Sequence, residues 1–114
     1  MQDKLIIATN LKKTINYIEK TVINYPNKYK VLKERIINIL YEILELTYYA
    51  NCLNDKKNTQ GLIISKIKML DFYLKQSLDN NLISNKKYVS YTNYLLDISK
   101  LIYGWMNEKN KQFI

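Results

Sequence analysis

The sequence contains no histidine. That removes Ser-His-Asp and Cys-His nucleophilic arrangements, imidazole acid–base catalysis and histidine-ligated metals together. A single cysteine, Cys52, excludes an internal disulfide and any paired-cysteine metal or redox site, and nothing in it asks for an oxidising compartment. One proline and two glycines in 114 residues leave few sharp turns and argue against a β-sandwich or barrel. Long apolar runs are missing as well. Leu5-Ile6-Ile7-Ala8 is too short for a signal-peptide core, and no uncharged stretch is long enough to span a bilayer. The expected setting is cytoplasmic, with no membrane association and no cofactor. The usual catalytic residue sets are absent, so an enzyme is not expected.

What the chain does have is charge of one sign and a helical rhythm. Eighteen Lys and Arg face ten Asp and Glu, a net of +8. The length suits one domain with one core. Leu11, Ile15, Ile18 and Val22 repeat at four, three and four, which predicts a first helix from about Asp3 to Asn24. Pro26 stops it, because the residue before proline is pushed out of the α region, and Asn27 can cap the next helix. That second helix is expected from about Lys28 to Leu53, with Leu32, Ile36, Ile39, Ile43, Leu46, Ala50 and Leu53 on one stripe. Ile37, Leu40, Leu44 and Thr47 lie on another beside it. A face that wide predicts neighbours on more than one side, and a surplus for contacts between subunits.

After the polar connection Asn54–Asn58, a third helix is expected from about Thr59 to Asp79. It carries Ile63, Ile67, Leu70, Leu74 and Leu78 on one side. Asn80-Asn81 is a stop, since asparagine tolerates the left-handed conformation. Ser84 is the expected N-cap of a fourth helix, about Asn85 to Asn107, with Tyr88, Tyr91, Leu95, Ile98, Ile102 and Trp105 at threes and fours. The tail from Asn107 is polar and is expected to fray. Four amphipathic helices with short connections imply an all-α, up-down-up-down four-helix bundle filling residues 1–114 as a single domain.

Several segments together resemble a known family. Tyr25-Pro26-Asn27-Lys28 joins the first two helices, followed by Arg35-Ile36, by Glu42-Ile43-Leu44-Glu45-Leu46 and by Ala50. Ser84-Asn85-Lys86-Lys87-Tyr88 opens the fourth helix, and Tyr103-Gly104-Trp105 stands near its end. In order and spacing these resemble the accessory variability determinant proteins of diversity-generating retroelements. Proteins encoded in intervening sequences of large-subunit ribosomal RNA genes belong to the same family. The resemblance implies a four-helix protomer in a homopentameric barrel with a basic surface. In the retroelement branch it also implies two partners: nucleic acid, RNA or DNA, and the element's reverse transcriptase, in mutagenic cDNA synthesis from template RNA. Lys68 and Lys75 resemble basic positions of the family.

In an up-down bundle, one end collects the C-termini of helices one and three and the N-termini of two and four. Lys20, Lys28, Lys30, Lys33, Arg35, Lys75, Lys86 and Lys87 fall there against Glu19, Glu34 and Asp79: eight bases, three acids, a net of +5. Ten bases and seven acids remain elsewhere, a net of +3. Cations opening helix two oppose its dipole, where acids would gain about 0.3–1 kcal/mol each. Phosphate would relieve that conflict and use the free N–H groups as well. The nucleic-acid-binding candidates are therefore Lys28, Lys30, Lys33, Arg35, Lys68, Lys75, Lys86 and Lys87, against the plainer reading of a solvated lysine-rich surface. Of the eleven tyrosines, Tyr25, Tyr29, Tyr88 and Tyr91 fall near this end. Tyr88 and Tyr91 read as packing residues, while Tyr29 is open between packing and base stacking. Glu42 and Glu45 read as solvated or ion-paired, and Cys52 as a small buried residue. Two functions remain: a nucleic-acid-binding accessory subunit of a reverse transcriptase, or a structural pentameric scaffold with no polymerase partner.

Overall fold

A computed structural model describes residues 2–108, with side chains from Ile6 onward. Four helices account for nearly all of it: α1 (Gln2–Val22), α2 (Lys30–Asn51), α3 (Lys57–Asp79) and α4 (Asn85–Met106). No strand occurs among the described residues. Each helix packs on its sequence neighbour, and α1 closes the ring on α4, while the backbones of the diagonal pairs stay farther apart. The connections hold seven residues or fewer. Even fully extended they reach about 25 Å, less than the ~33 Å of a 22-residue helix, so consecutive helices must run antiparallel. The result is 47 Å long and 23 by 19 Å across.

The stripes read from the sequence meet inside this ring. Ile18 and Val22 of α1, Ile36 and Ile43 of α2, Ile63, Leu70 and Leu74 of α3, and Tyr91 and Ile102 of α4 are wholly buried. The second stripe of α2 also turns inward: Leu40 and Thr47 are buried, and Ile37 and Leu44 are half-buried against the core. Much of the wide face of α2 is thus taken up inside the protomer, while Ile37 and Leu44 keep part of their surface exposed. Thr14, Thr47 and Ser77 are buried polar residues, and each hydroxyl donates to the carbonyl four residues back, at 2.9, 2.8 and 3.0 Å. That local bond removes the cost of burying an unpaired hydroxyl.

The helix boundaries depart from the sequence reading where local chemistry intervenes. α1 ends at Val22; the Ile23 amide still bonds to the Glu19 carbonyl, and the next two tighten into i→i−3 bonds, Asn24 to Thr21 at 3.1 Å and Tyr25 to Val22 at 3.0 Å. Pro26, extended at φ −57° and ψ 152°, does not lead straight into α2. A 3-10 turn over Asn27–Tyr29 intervenes, α2 begins at Lys30 rather than Lys28, and neither start carries a side-chain cap. Asn27 is therefore not the cap it was expected to be. α3 starts two residues before Thr59, where Asp55 Oδ1 accepts from the Lys57 amide at 3.3 Å. Cys52 lies just beyond the end of α2 and is exposed, not buried as its residue type suggested.

Two expected signals appear in full. Asn81 has φ 60°, and Leu82 N–H bonds to the Ser77 carbonyl while Asn81 N–H bonds to that of Leu78, at 2.9 and 3.0 Å. This is a Schellman closure of α3, with asparagine at the left-handed position. Ser84 Oγ accepts from the Lys87 amide at 3.1 Å and caps α4. Of the tail, Asn107 closes α4, and residues 109–114, where fraying was expected, lie outside the described residues.

Candidate nucleic-acid interface

The antiparallel arrangement puts the starts of α2 and α4 at the same end of the bundle as the close of α1 and α3. Lys28 sits in the 3-10 turn, with Nζ 5.3 Å from the centre of the Tyr29 ring. Lys30 opens α2, and Lys33 follows one turn later. Lys86 and Lys87 occupy the first turn of α4. No acid lies in the first turn of the 3-10 turn, of α2 or of α4. The positive ends of two helix dipoles therefore meet lysines and no first-turn acid, an arrangement that favours an external anion.

Ion pairing leaves this charge unspent. The ion pairs among the described residues include Lys66–Glu42 at 3.2 Å and Lys75–Asp79 at 2.9 Å. None involves Lys28, Lys30, Lys33, Arg35, Lys86 or Lys87. Lys75 is held by Asp79, which also raises its pKa through that hydrogen bond, but both side chains are more than half exposed and the pair is worth little. Arg35 stands deeper along α2, in a groove between α2 and α3 with Asn38, Ser65, Lys66 and Tyr73. Lys68 is exposed at mid-α3, eleven residues before the helix ends. At 1.5 Å per residue that is about 16 Å from the basic end. Lys28, Lys30, Lys33, Lys86 and Lys87 share the end, Arg35 and Lys75 flank it, and Lys68 lies apart.

The tyrosines divide. Tyr91 is wholly buried and Tyr25 nearly so, while Tyr29 and Tyr88 are half-buried against the core. Burial pushes the Tyr25 phenol up in pKa. Its hydroxyl finds no partner within hydrogen-bond geometry, and Ser77, whose own hydroxyl donates to the Tyr73 carbonyl, offsets only part of the effect. Burial raises Tyr88 as well, assisted by Asp71, 3.4 Å from its hydroxyl. Tyr91 is raised by burial, partly countered by its bond to Thr21 at 2.7 Å.

That bond belongs to a cluster the sequence reading missed. Lys87 Nζ donates to the same Thr21 oxygen at 3.2 Å. Tyr17 meets Tyr91 edge to face with ring centres 5.2 Å apart, and meets Tyr94 likewise at 5.3 Å. The only trace in the sequence is Tyr91 and Tyr94 three apart on one helical face; the lateral register that brings Tyr17 between them is tertiary.

Glu42 is paired with Lys66, Glu45 is exposed, and no group of three acids or cysteines among the described residues stands where it could hold a metal. No helix among the described residues is long and apolar enough to cross a membrane. No family model, curated protein or solved structure matches the chain.

Proposed function

We propose that this chain is a nucleic-acid-binding accessory protein whose basic end engages the phosphate backbone. The observation that carries the reading is the pairing of two helix starts, α2 and α4, each lysine-bearing, free of first-turn acids and without an ion pair among the described residues. Lysines in that position weaken the helices unless an anion is there to receive them. The motifs from Tyr25-Pro26 to Tyr103-Gly104-Trp105 extend the proposal to a diversity-generating retroelement. There the protein would serve its reverse transcriptase during mutagenic cDNA synthesis, as a cytoplasmic homopentamer. Exposed Val31, Leu62, Met69 and Phe72 on α2 and α3 supply apolar surface for such assembly. Light scattering coupled to size exclusion reports the mass, and a monomer at micromolar concentration would remove the pentamer from the proposal.

The binding test is a titration of RNA and DNA at several salt concentrations. Five lysine–phosphate contacts give a slope of log affinity against log salt of about −4. A slope near zero would contradict the electrostatic site. No binding even at low salt would overturn the reading in favour of the scaffold without a polymerase partner.

A further inference from the structure

The groove between α1 and α4 carries an aromatic cluster that continues directly from the basic end. Thr21, in the last turn of α1, is the joint. Its hydroxyl receives Lys87 Nζ at 3.2 Å and lies 2.7 Å from the Tyr91 hydroxyl, so a cation of the basic end and the innermost ring of the cluster share one oxygen. One turn earlier on α1, Tyr17 stands against Tyr91 and Tyr94 at 5.2 and 5.3 Å, with interplanar angles of 88° and 80°.

The three rings are not equally placed. Tyr91 is fully buried and fixes the floor. Tyr17 is 41% exposed and Tyr94 44%. In an edge-to-face contact one ring offers its edge, so each contact covers one face of one ring. Two such contacts cover at most two faces of the cluster, and Tyr17 and Tyr94 keep open aromatic surface. Around them on α1, Lys13 lies one turn before Tyr17 and Lys20 one turn after, both exposed. On α4, Lys86 and Lys87 precede the rings, and Asp97, one turn beyond Tyr94, introduces the first acid. The tyrosine groove between α1 and α2 is mixed in sign: Lys12 lies over the Tyr48 ring at 5.7 Å, but the Tyr41 hydroxyl donates to the Glu19 carboxylate at 2.7 Å, an acid that repels a phosphate strand.

Cations spaced along exposed aromatic faces are what a single strand requires, since its bases are free to stack while its backbone needs countercharge. A duplex keeps its bases stacked on one another and can use only the cations. We propose that Tyr17 and Tyr94 stack unpaired bases, making the α1–α4 groove a single-strand site fed by Lys87 and Lys20. The proposal rests on the nucleic-acid reading above and adds to it the form of the ligand.

The experiment compares a single-stranded oligonucleotide with a duplex of the same length. The chains are the native protein, Tyr17→Ser/Tyr94→Ser and Tyr17→Phe/Tyr94→Phe, each checked for helicity by circular dichroism. The native protein should bind the single strand more tightly. The serine variant should lose about 5- to 150-fold in single-strand affinity per stacked base, keep its duplex affinity, and be rescued by phenylalanine. Equal affinity for the two forms, or a serine variant that binds the single strand undiminished, overturns this proposal while leaving the basic end intact. Loss of single-strand and duplex binding alike in the folded serine variant also overturns it, because the rings would then support the site rather than touch bases. No binding of either form by the native protein overturns the nucleic-acid reading itself.

Discussion

The hydroxyls of Tyr91 and Thr21 lie 2.7 Å apart across seventy residues of chain, fastening the first half of α4 to the last turn of α1. Lys87 reaches the same Thr21 oxygen, so one hydroxyl serves both the closure of the helical ring and a cation of the basic end. Packing and the candidate site are therefore coupled at one threonine.

Removing the Tyr91 hydroxyl tests that coupling. Tyr91→Phe keeps the buried ring and its contact with Tyr17 but deletes the bond, and should cost about 0.5–1.5 kcal/mol in urea denaturation. Thr21→Val leaves the hydroxyl of buried Tyr91 without its acceptor, so it should cost more, about 1–3 kcal/mol, and also free Lys87.

The capping assignments separate two residues that look alike in sequence. Ser84→Ala removes a real cap and should destabilise the fold by about 1 kcal/mol. Asn27→Ala, in a 3-10 turn without a side-chain cap, should stay within about 0.5 kcal/mol of the native protein. A large loss at Asn27 would mean that it caps α2 after all.

Asn81 is held at φ 60°, where a side chain with a normal Cβ is strained. Asn81→Gly should leave stability unchanged or raise it slightly, whereas Asn81→Ala should lower it by about 1–2 kcal/mol, measured by thermal unfolding.

Tyr25 and Tyr91 make stability sensitive to alkali. Burial raises both phenols above their ordinary value of 10.0 in the folded state. The unfolded chain therefore loses these protons first as pH rises. Their contribution is fully present below about pH 10 and disappears as pH climbs from there through the raised folded values. Absorbance titration of the phenolates should show at least two tyrosines ionising late, with unfolding following them. Their ionisation at the ordinary value in a folded chain would contradict the burial described.

Much of this fold could be read from spacing alone, because burial is what threes and fours of isoleucine and leucine specify. Ile36, Ile43, Leu70, Leu74 and Ile98 fall where the pattern puts them, and Ser84 and Asn81 act through local backbone chemistry that a few residues determine. The errors came where one local effect overrode another. Pro26 sends the chain into a 3-10 turn, so Asn27 never reaches a capping position, and α2 starts late. Cys52 is exposed because it lies off the apolar stripe that Ala50 and Leu53 carry past the end of α2. The width of the α2 face was legible, but not its occupant: Leu40 and Thr47 are covered by the chain's own helices. For the candidate site, the lysines of the basic end followed from topology. Lys68 became a candidate through family resemblance rather than topology, and it lies apart from them along α3. Tyr17 and Tyr94 were invisible as a pair, because their contact depends on how α1 and α4 slide against each other.

The central claim is that one end of the bundle, not total charge, binds nucleic acid, and charge reversal at matched number tests it most directly. Lys28, Lys30, Lys86 and Lys87 are changed together to Glu, and in a second protein Lys12, Lys56, Lys57 and Lys100, in the opposite half, are changed likewise. Acids in the opening turns of α2 and α4 suit the helix dipoles, so the first variant should remain folded. The account predicts that it loses nucleic-acid binding, with a salt slope shallower by about one unit per lysine replaced, while the second variant retains most of its affinity. Equal loss in both variants, or loss in the second alone, would contradict the placement of the site at the α2–α4 end.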